Sequence, residues 1–153
     1  MTTERQPRVV IVGAGMSGIL ATIMLRQKGI NHITILEKKD RLGGTWRENT
    51  YPGVACDVPA SAYTFSFDHN PHWNHRFAEG GEIQKYLETM ASKYQVTESI
   101  RFNEMVKKAA FSKGEWRLET SKGETIVADF VISATGLLHV PNYPDIKGLD
   151  SFK

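Results

Sequence analysis

Arg8-Val-Val-Ile-Val-Gly-Ala-Gly-Met-Ser-Gly18 is the stretch of sequence that decides the fold. Its first half, as far as Val12, is a short run of β-branched residues, which predicts a buried strand. Its second half is a turn that contains three glycines. Apolar residues then recur at helical spacing until Lys28-Gly29, where a basic residue and a glycine predict the helix end. Strand, glycine turn and helix in this order form the first part of a βαβ unit.

A second apolar run, His32-Ile-Thr-Ile-Leu36, predicts the next strand of this unit, and Glu37 follows it directly. An acidic residue roughly 20 positions beyond such a turn is typical of dinucleotide-binding domains. A glycine pattern alone is a weak signal, but this one lies between a predicted strand and a predicted helix. The sequence therefore predicts an α/β fold with a Rossmann-like parallel sheet that binds a dinucleotide.

Each residue of the turn has a physical role in this hypothesis. Gly13 makes the tight turn, Gly15 lets the backbone approach a pyrophosphate, and Gly18 lets the helix pack closely on the strand. The helix N-terminus offers free N–H groups to the phosphates. Glu37 accepts hydrogen bonds from ribose hydroxyls and repels a 2′-phosphate, which excludes NADP at this position. The residues predicted to bind this part of the cofactor are Gly13, Ala14, Gly15, Met16, Ser17, Gly18, Glu37 and Lys38. The alternative is a glycine-rich turn without a ligand.

Gly43-Gly-Thr-Trp-Arg-Glu-Asn-Thr-Tyr-Pro-Gly-Val-Ala-Cys-Asp57 follows where an ordinary NAD domain would continue into its next helix. The run is too irregular in period for a helix or a strand, so it predicts a loop folded around a ligand. A second glycine pair just beyond the ribose acid suits a longer dinucleotide whose far half it contacts. This favours FAD over NAD. The alternative is a plain glycine-containing loop with Trp46 packed in the core.

The rest of the chain predicts one further helix and several strands. Aromatic residues alternate over 63–67, which predicts a half-buried extended stretch that lines a pocket or packs in the core. Residues 81–94 predict an amphipathic helix with a scaffold role. Three short strands within about 104–128, separated by Lys-Gly turns, predict an antiparallel β-meander. Residues 129–133 are predicted to return to the parallel sheet.

Composition and length exclude several classes of protein. The 153 residues suffice for one domain with its own core. A formal net charge of +2 is too small to indicate a nucleic-acid or membrane-surface partner. No apolar run approaches the roughly 18 residues that span a bilayer, and the start lacks the apolar stretch of a signal peptide. With one cysteine, Cys56, no internal disulfide is possible, and a cytoplasmic location is expected.

Three histidines, His69, His72 and His75, recur at three-residue steps, which is a spacing that invites a metal site. Asn70-Pro71 breaks any helix that would align them, and no cysteine or acidic cluster accompanies them. No metal is therefore predicted, and this segment is interpreted as a polar loop.

The pattern Gly44-x-Trp46-x4-Tyr51-Pro52-Gly53-x3-Asp57 resembles the N-terminal signature of Baeyer–Villiger monooxygenases, which are class B flavoprotein monooxygenases. Every fixed position is matched at the family's spacing. The resemblance extends from Val9 to Asp150. Val131–Gly136 resembles the Ala-Thr-Gly motif on the strand that leads towards the NADP domain, and Phe152 stands where a second family signature would begin.

This resemblance implies a division of the chain. Residues 1–140 are expected to form an FAD-binding domain that contains the meander. Residues 141–153, with Pro141 and Pro144, are expected to form a linker towards an NADP-binding domain outside these 153 residues.

The resemblance also implies an activity for the complete enzyme. NADPH reduces FAD, reduced FAD takes up O2, and the resulting flavin peroxide attacks a small-molecule ketone to give an ester or lactone. Asp57 is the implied catalytic residue, because in the family the matching acid holds an arginine of the second dinucleotide domain beside the flavin. Ala55, Cys56 and Asp57 would lie on the NADPH side. Family members often carry arginine at the position of Ala55, so this residue departs from the pattern.

Further cofactor contacts are implied by the same resemblance, including a backbone pairing of Val106 with adenine. The implied residues are Gly44, Thr45, Trp46, Asp57, Tyr63, Val106, Ala134, Thr135 and Gly136. Two alternatives stay open: a flavin monooxygenase that oxygenates nitrogen or sulfur, and a non-catalytic FAD-binding fragment. Neither the oligomeric state nor the identity of the ketone is indicated.

Overall fold

The computed structural model describes residues 5–137, 140 and 142–151, and these residues form two β-sheets and three α-helices. Pro141, predicted to lie in a linker, and Phe152, which stands at the start of a second family signature, lie outside the described residues. The elements in chain order are β1 (Val9–Val12), α1 (Met16–Gln27), β2 (Ile33–Leu36), α2 (Thr45–Glu48), α3 (Gly80–Lys93), β3 (Ile100–Arg101), β4 (Val106–Ser112), β5 (Glu115–Thr120), β6 (Thr125–Ala128) and β7 (Phe130–Ser133), with short 3₁₀ turns at Val96–Ser99 and Leu149–Ser151.

The larger sheet is parallel and has the strand order β3-β2-β1-β7. Val9 at the start of β1 lies opposite Ile33 in β2 and Phe130 in β7. All four residues of β1 are β-branched, which suits a central parallel strand that is covered on both faces. The predicted α/β fold with a parallel sheet is confirmed.

The two faces of this sheet are covered by different layers. Val9 and Ile11 of β1 point into a core shared with α1 and α3, whereas Val10 points into a smaller core shared with Leu118 and Ala128 of the second sheet. This alternation follows from the two-residue period of a strand. The parallel sheet is therefore the middle of three layers, and each of its faces packs against a core.

The scaffold helix predicted over 81–94 is α3, which begins one residue earlier and ends one residue earlier. Its buried face consists of Ile83, Tyr86, Leu87, Met90 and Ala91, as the helical periodicity predicts. In the part of the chain that the structure describes, no helix has the length and apolar character needed to cross a membrane.

The alternating aromatic stretch over 63–67 is not extended, so that prediction is wrong. The segment forms turns with a single bridge between Phe65 and Asp68. The hydroxyl of Tyr86 holds these turns, since it accepts hydrogen bonds from Phe65 N at 2.7 Å and Thr64 Oγ1 at 2.9 Å and donates to Asp68 O at 2.9 Å. A buried contact from α3 therefore overrides the local alternation.

The prediction of a loop over Gly43–Asp57 is also partly wrong, because this segment contains the four-residue helix α2. The remainder of the loop is irregular, as predicted. A single helical turn is too short to produce a visible period in the sequence.

The predicted meander is confirmed as an antiparallel sheet with the order β4-β5-β6. Phe111 and Trp116 face each other across β4 and β5 with ring centroids 5.4 Å apart. The register shifts between Val106 and Lys108, which marks a β-bulge at the start of β4. The chain then returns to the parallel sheet in β7.

Candidate functional site

A cavity of about 370 Å³ opens at the carboxyl ends of the parallel strands. It is lined by the ends of β1 and β2, the first turn of α1, the loop that carries α2, the start of β4 and the three residues after β7. Ligands of open α/β sheets bind at this edge, where neighbouring connections diverge. The fold thus brings the glycine segments of the sequence to one place.

The glycine turn after β1 is shaped by two close backbone contacts. Gly13 has a φ of +104°, and a Cβ there would lie 2.6 Å from the carbonyl oxygen of Ala134. A Cβ at Gly18 would lie 2.0 Å from the carbonyl oxygen of Gly13. Both positions are therefore closed to any side chain, because α1 and the end of β7 press against the turn.

Gly15 differs from these two glycines, because a Cβ there would have room. It is the N-cap residue of α1, and a Cβ there would meet only Gly44 Cα at an ordinary 3.6 Å. Among the described residues, the N–H groups of Gly15, Met16 and Ser17 have no hydrogen-bond acceptor. These unpaired donors at the positive end of a helix dipole form a site suited to an anion such as a phosphate.

Glu37 is buried at the end of β2, with 7% of its surface exposed. Its Oε2 accepts a hydrogen bond from Ala14 N at 2.8 Å, and its Oε1 accepts one from Lys39 N at 2.9 Å. Each carboxylate oxygen has a second lone pair, so the group can still accept hydrogen bonds from ribose hydroxyls. Glu37 therefore fixes the first glycine turn in addition to the ribose role that the sequence predicts.

The second glycine cluster meets the first one directly. Gly43 N donates a hydrogen bond to Ala14 O at 2.9 Å, and a Cβ on Gly44 would lie 3.1 Å from Gly15 Cα. Gly44, which also has a φ of +56°, is the glycine that allows the two backbones to approach this closely. The two clusters face one cavity, and no side chain separates them.

Trp46 and Tyr63 form one wall of the cavity beyond the second glycine cluster. Trp46 Nε1 donates to the Tyr63 hydroxyl at 3.0 Å, and the rings meet edge to face at 5.5 Å. Burial, the largest cause, and smaller contributions from Cys56 and Asp57 raise the pKa of the Tyr63 hydroxyl above its usual value, against a lowering by the Trp46 hydrogen bond. This hydroxyl stays protonated at neutral pH, so it can donate a hydrogen bond towards a ligand.

Most of the residues predicted from the sequence line this cavity. Those that do are Gly13, Gly15, Met16, Ser17, Glu37, Lys38, Gly44, Thr45, Trp46, Tyr63, Val106, Ala134, Thr135 and Gly136. Ala14 and Gly18 are buried directly behind it and support the turn.

Six residues that the sequence did not single out also line the cavity: Val12, Leu36, Gly43, Glu48, Glu104 and Met105. Val12 and Leu36 end their strands, so the rule that ligands bind at strand ends indicates them. Met105 adjoins the predicted Val106, and Gly43 and Glu48 belong to the glycine loop. For Glu104 no local pattern gives a signal, because its partners Arg101 and Lys122 are brought together only by the folded sheets.

The three residues predicted on the NADPH side do not line the cavity. Cys56 is buried, whereas Ala55 and Asp57 are exposed. A hydrogen bond of 2.9 Å from Cys56 N to Ala78 O holds this loop beside α3. Within the described residues, the Asp57 side chain forms no hydrogen bond or ion pair. Its predicted catalytic role stays a prediction.

Residues 10–153 match the family model described as pyridine nucleotide-disulphide oxidoreductase, and the chain belongs to that family. Its resemblance to Baeyer–Villiger monooxygenases is confirmed by relatives that carry this name. An uncharacterized monooxygenase of Mycobacterium tuberculosis is 50% identical over 151 residues, which are 99% of this chain and 30% of the relative. A Baeyer–Villiger monooxygenase of Streptomyces coelicolor is 44% identical over 147 residues, which are 95% of this chain and 28% of the relative.

Solved structures agree with this family assignment. The crystal structure of OTEMO in complex with FAD and NADP superimposes with a TM-score of 0.85 at 32% identity, over 97% of this chain and 29% of OTEMO. The chain therefore spans about 30% of the length of the curated relatives that it matches.

Proposed function

We propose that this chain is the FAD-binding part of an NADPH- and O2-dependent flavin monooxygenase that converts ketones to esters or lactones. The observation that carries the proposal is the direct meeting of two glycine clusters around one cavity, with Glu37 at one end and the Trp46–Tyr63 pair at the other. A mononucleotide needs only the first cluster. A dinucleotide with a second large ring system uses both.

The donors and acceptors around the cavity fit FAD. The free N–H groups of Gly15, Met16 and Ser17 suit the pyrophosphate, and the glycine at position 15 leaves room for its approach. The remaining lone pairs of Glu37 suit ribose hydroxyls. Val106 would pair with adenine through its backbone.

Bound FAD would accept electrons from NADPH and transfer them to O2, and the protein's own residues would hold and shield it. The Tyr63 hydroxyl is kept protonated and is aimed by Trp46, so it would orient polar atoms at the flavin end. Asp57 lies on a loop that hydrogen bonds fix to α3, and its carboxylate would hold a cation beside the site. The relatives named Baeyer–Villiger monooxygenases support the choice of a ketone as substrate.

The first test of this proposal is cofactor binding. We expect FAD added to the purified protein to bind with one-to-one stoichiometry, with quenched flavin fluorescence. FMN should bind far more weakly because it lacks the adenosine that Glu37 and Val106 would hold. Equal affinity for the two flavins would contradict the assignment of the two ends of the cavity.

The second test is the reaction itself, measured on the protein expressed from its whole gene. A cyclic ketone, a thioether and an amine are supplied in parallel with NADPH and O2, and the products are identified by mass spectrometry. We expect an ester or lactone from the ketone at the highest rate. Oxygenation of the thioether or the amine alone would assign the protein to the nitrogen- and sulfur-oxygenating enzymes instead.

A further inference from the structure

One fully buried acid at the edge of the cavity has no role in the cofactor contacts described so far. Glu104 is 0% exposed and lies in the connection between β3 and β4. A buried carboxylate is costly unless it is paired and hydrogen-bonded. Its partners therefore indicate what it does.

The Glu104 carboxylate joins two cations from different sheets. Arg101, at the end of β3, donates from Nε to Oε2 at 2.8 Å and from Nη2 to Oε1 at 2.9 Å. Lys122, in the turn between β5 and β6, places Nζ 3.5 Å from Oε2. The carboxylate thus connects the parallel sheet to the meander, and Arg101 occupies both of its oxygens.

Backbone hydrogen bonds connect the same segment to the ribose acid. Glu104 N donates to Glu37 O at 2.9 Å, and Glu37 N donates to Arg101 O at 3.1 Å. Asn103 N donates to Lys39 O at 2.9 Å. These hydrogen bonds therefore hold the segment that leads to Val106 beside the segment that carries Glu37.

A β-bulge lies just beyond Val106 and interrupts the regular pairing of β4 with β5. Before the bulge, Val106 lies opposite Thr120, and two hydrogen bonds join Met105 to Ser121. The paired Glu104 side chain adds a constraint towards the parallel sheet immediately before the two cavity-lining residues Met105 and Val106.

We infer that Glu104 is a positioning residue for the adenosine end of the bound dinucleotide. It holds the backbone of 104–106 at a fixed distance from Glu37, so that ribose and adenine meet their partners together. Because Arg101 and Lys122 engage its oxygens, Glu104 acts through the backbone and not as a direct ligand. The inference rests on the proposed FAD-binding function.

The test is Glu104→Gln, with the affinities for FAD and for ADP measured by titration at a temperature well below thermal unfolding. Gln keeps the size of the side chain but removes the charge that pairs with both cations. We expect the Kd values for FAD and ADP to rise by the same factor, about tenfold, because every lost constraint is at the adenosine end.

Glu124→Gln is the matched control. Glu124 also pairs with Arg101, but it is 53% exposed and does not line the cavity. The same charge change there should alter either Kd by less than about twofold, since exposed ion pairs contribute little. An equal loss in both variants would overturn the inference in favour of a general effect of charge.

Hydrogen exchange of the unaltered protein adds a measurement that needs no variant. ADP should slow the exchange of the amides of 104–106 as well as those of the first glycine turn. In Glu104→Gln only the protection of the glycine turn should persist. Absence of ADP-induced protection at 104–106 in the unaltered protein would overturn the inference, even if the variant fails to fold.

The result also separates the inference from the proposed function. If the unaltered protein binds neither FAD nor ADP, the proposed function fails. If it binds both, and Glu104→Gln binds them equally well, the function stands and the role of Glu104 is wrong.

Discussion

Gly15 and Gly18 lie three residues apart on one turn, yet different physical reasons require glycine at each. A side chain at position 18 would strike the backbone of Gly13 at 2.0 Å, and neither element can move away without breaking the βα turn. A side chain at position 15 would make only an ordinary contact at 3.6 Å. Glycine is required at position 18 by the fold and at position 15 by the ligand.

Gly18→Ala should therefore lower the free energy of unfolding by more than about 2 kcal/mol, because a backbone clash forces α1 away from β1. Gly15→Ala should stay within about 1 kcal/mol of the parent, which is the cost of a poorer N-cap. Its Kd for FAD should nevertheless rise at least about tenfold, because the methyl group occupies the space of the pyrophosphate. Urea denaturation and flavin titration measure the two effects. Parental FAD affinity in Gly15→Ala would show that the pyrophosphate does not approach there.

Asp57 is exposed on a loop outside the cavity, so its side chain contributes little to the fold. Asp57→Ala should leave FAD affinity unchanged, but it should impair the oxygenation of the ketone and uncouple NADPH oxidation from product formation. Asp57→Asn, which keeps the size and loses the charge, should behave in the same way. A variant that turns over at the parental rate with full coupling would show that the predicted catalytic role is wrong.

At the scale of elements, the hydroxyl of Tyr86 in α3 bonds three residues of the preceding loop, Thr64, Phe65 and Asp68. Tyr86→Phe leaves the buried Phe65 N–H without its acceptor and removes the shorter of the two hydrogen bonds to Asp68 O, the other coming from Thr64 Oγ1. We expect a loss of about 1–3 kcal/mol in the free energy of unfolding, measured by chemical denaturation.

Tyr94→Phe is the matched control for this change. The Tyr94 hydroxyl also bonds Asp68, at 2.9 Å, but the carboxylate keeps Lys93 as a second partner. The loss of stability should therefore be clearly smaller. Equal losses in the two variants would contradict the role assigned to the Tyr86 hydroxyl.

The N-terminal end of β1 and the start of β7 are joined by an ion pair. Asp129 accepts from Arg8 N at 2.7 Å and Arg8 Nη2 at 2.8 Å, and from Arg5 Nη2 at 2.9 Å. These hydrogen bonds, those from Arg8 foremost, hold the pKa of the Asp129 carboxyl well below its usual value of 3.8. The unfolded chain binds the proton more tightly, so folding is favoured by this group above its unfolded pKa, and the gain is lost as the pH falls below it.

The thermal midpoint of Asp129→Asn should accordingly lie below that of the parent at pH 7, and the two midpoints should converge as the pH falls below about 4. Thermal melts followed by circular dichroism across this range measure the difference. A constant difference from pH 7 to pH 3 would mean that packing, not the charge, accounts for the effect.

At the scale of the whole molecule, the sequence predicts best what depends on neighbours along the chain. The βαβ unit from Val9 to Glu37 is predicted in full because β-branched runs, a glycine turn and helical periodicity act within a few residues of one another. The meander is predicted for the same reason. Most of the cavity-lining residues are predicted as well, because the carboxyl ends of parallel strands meet at one edge of the sheet.

What the sequence could not predict depends on contacts between distant residues. The turns over 63–67 are held by the Tyr86 hydroxyl, and no local pattern indicates that distant contact. Helix α2 is one turn long, below the length at which periodicity shows. The burial of Glu104 requires Lys122 from another strand connection, which only the packed sheets bring near.

The hydrogen bond from Gly43 N to Ala14 O joins the two loops of the binding groove through the protein's own backbone. An incoming dinucleotide therefore meets a preorganised surface and does not have to order two loops at the expense of its own affinity. Association should be limited by diffusion and orientation instead of by a slow rearrangement, with little change in the protein's conformational entropy. A rigid receptor of this kind retains its ligand mainly through slow dissociation.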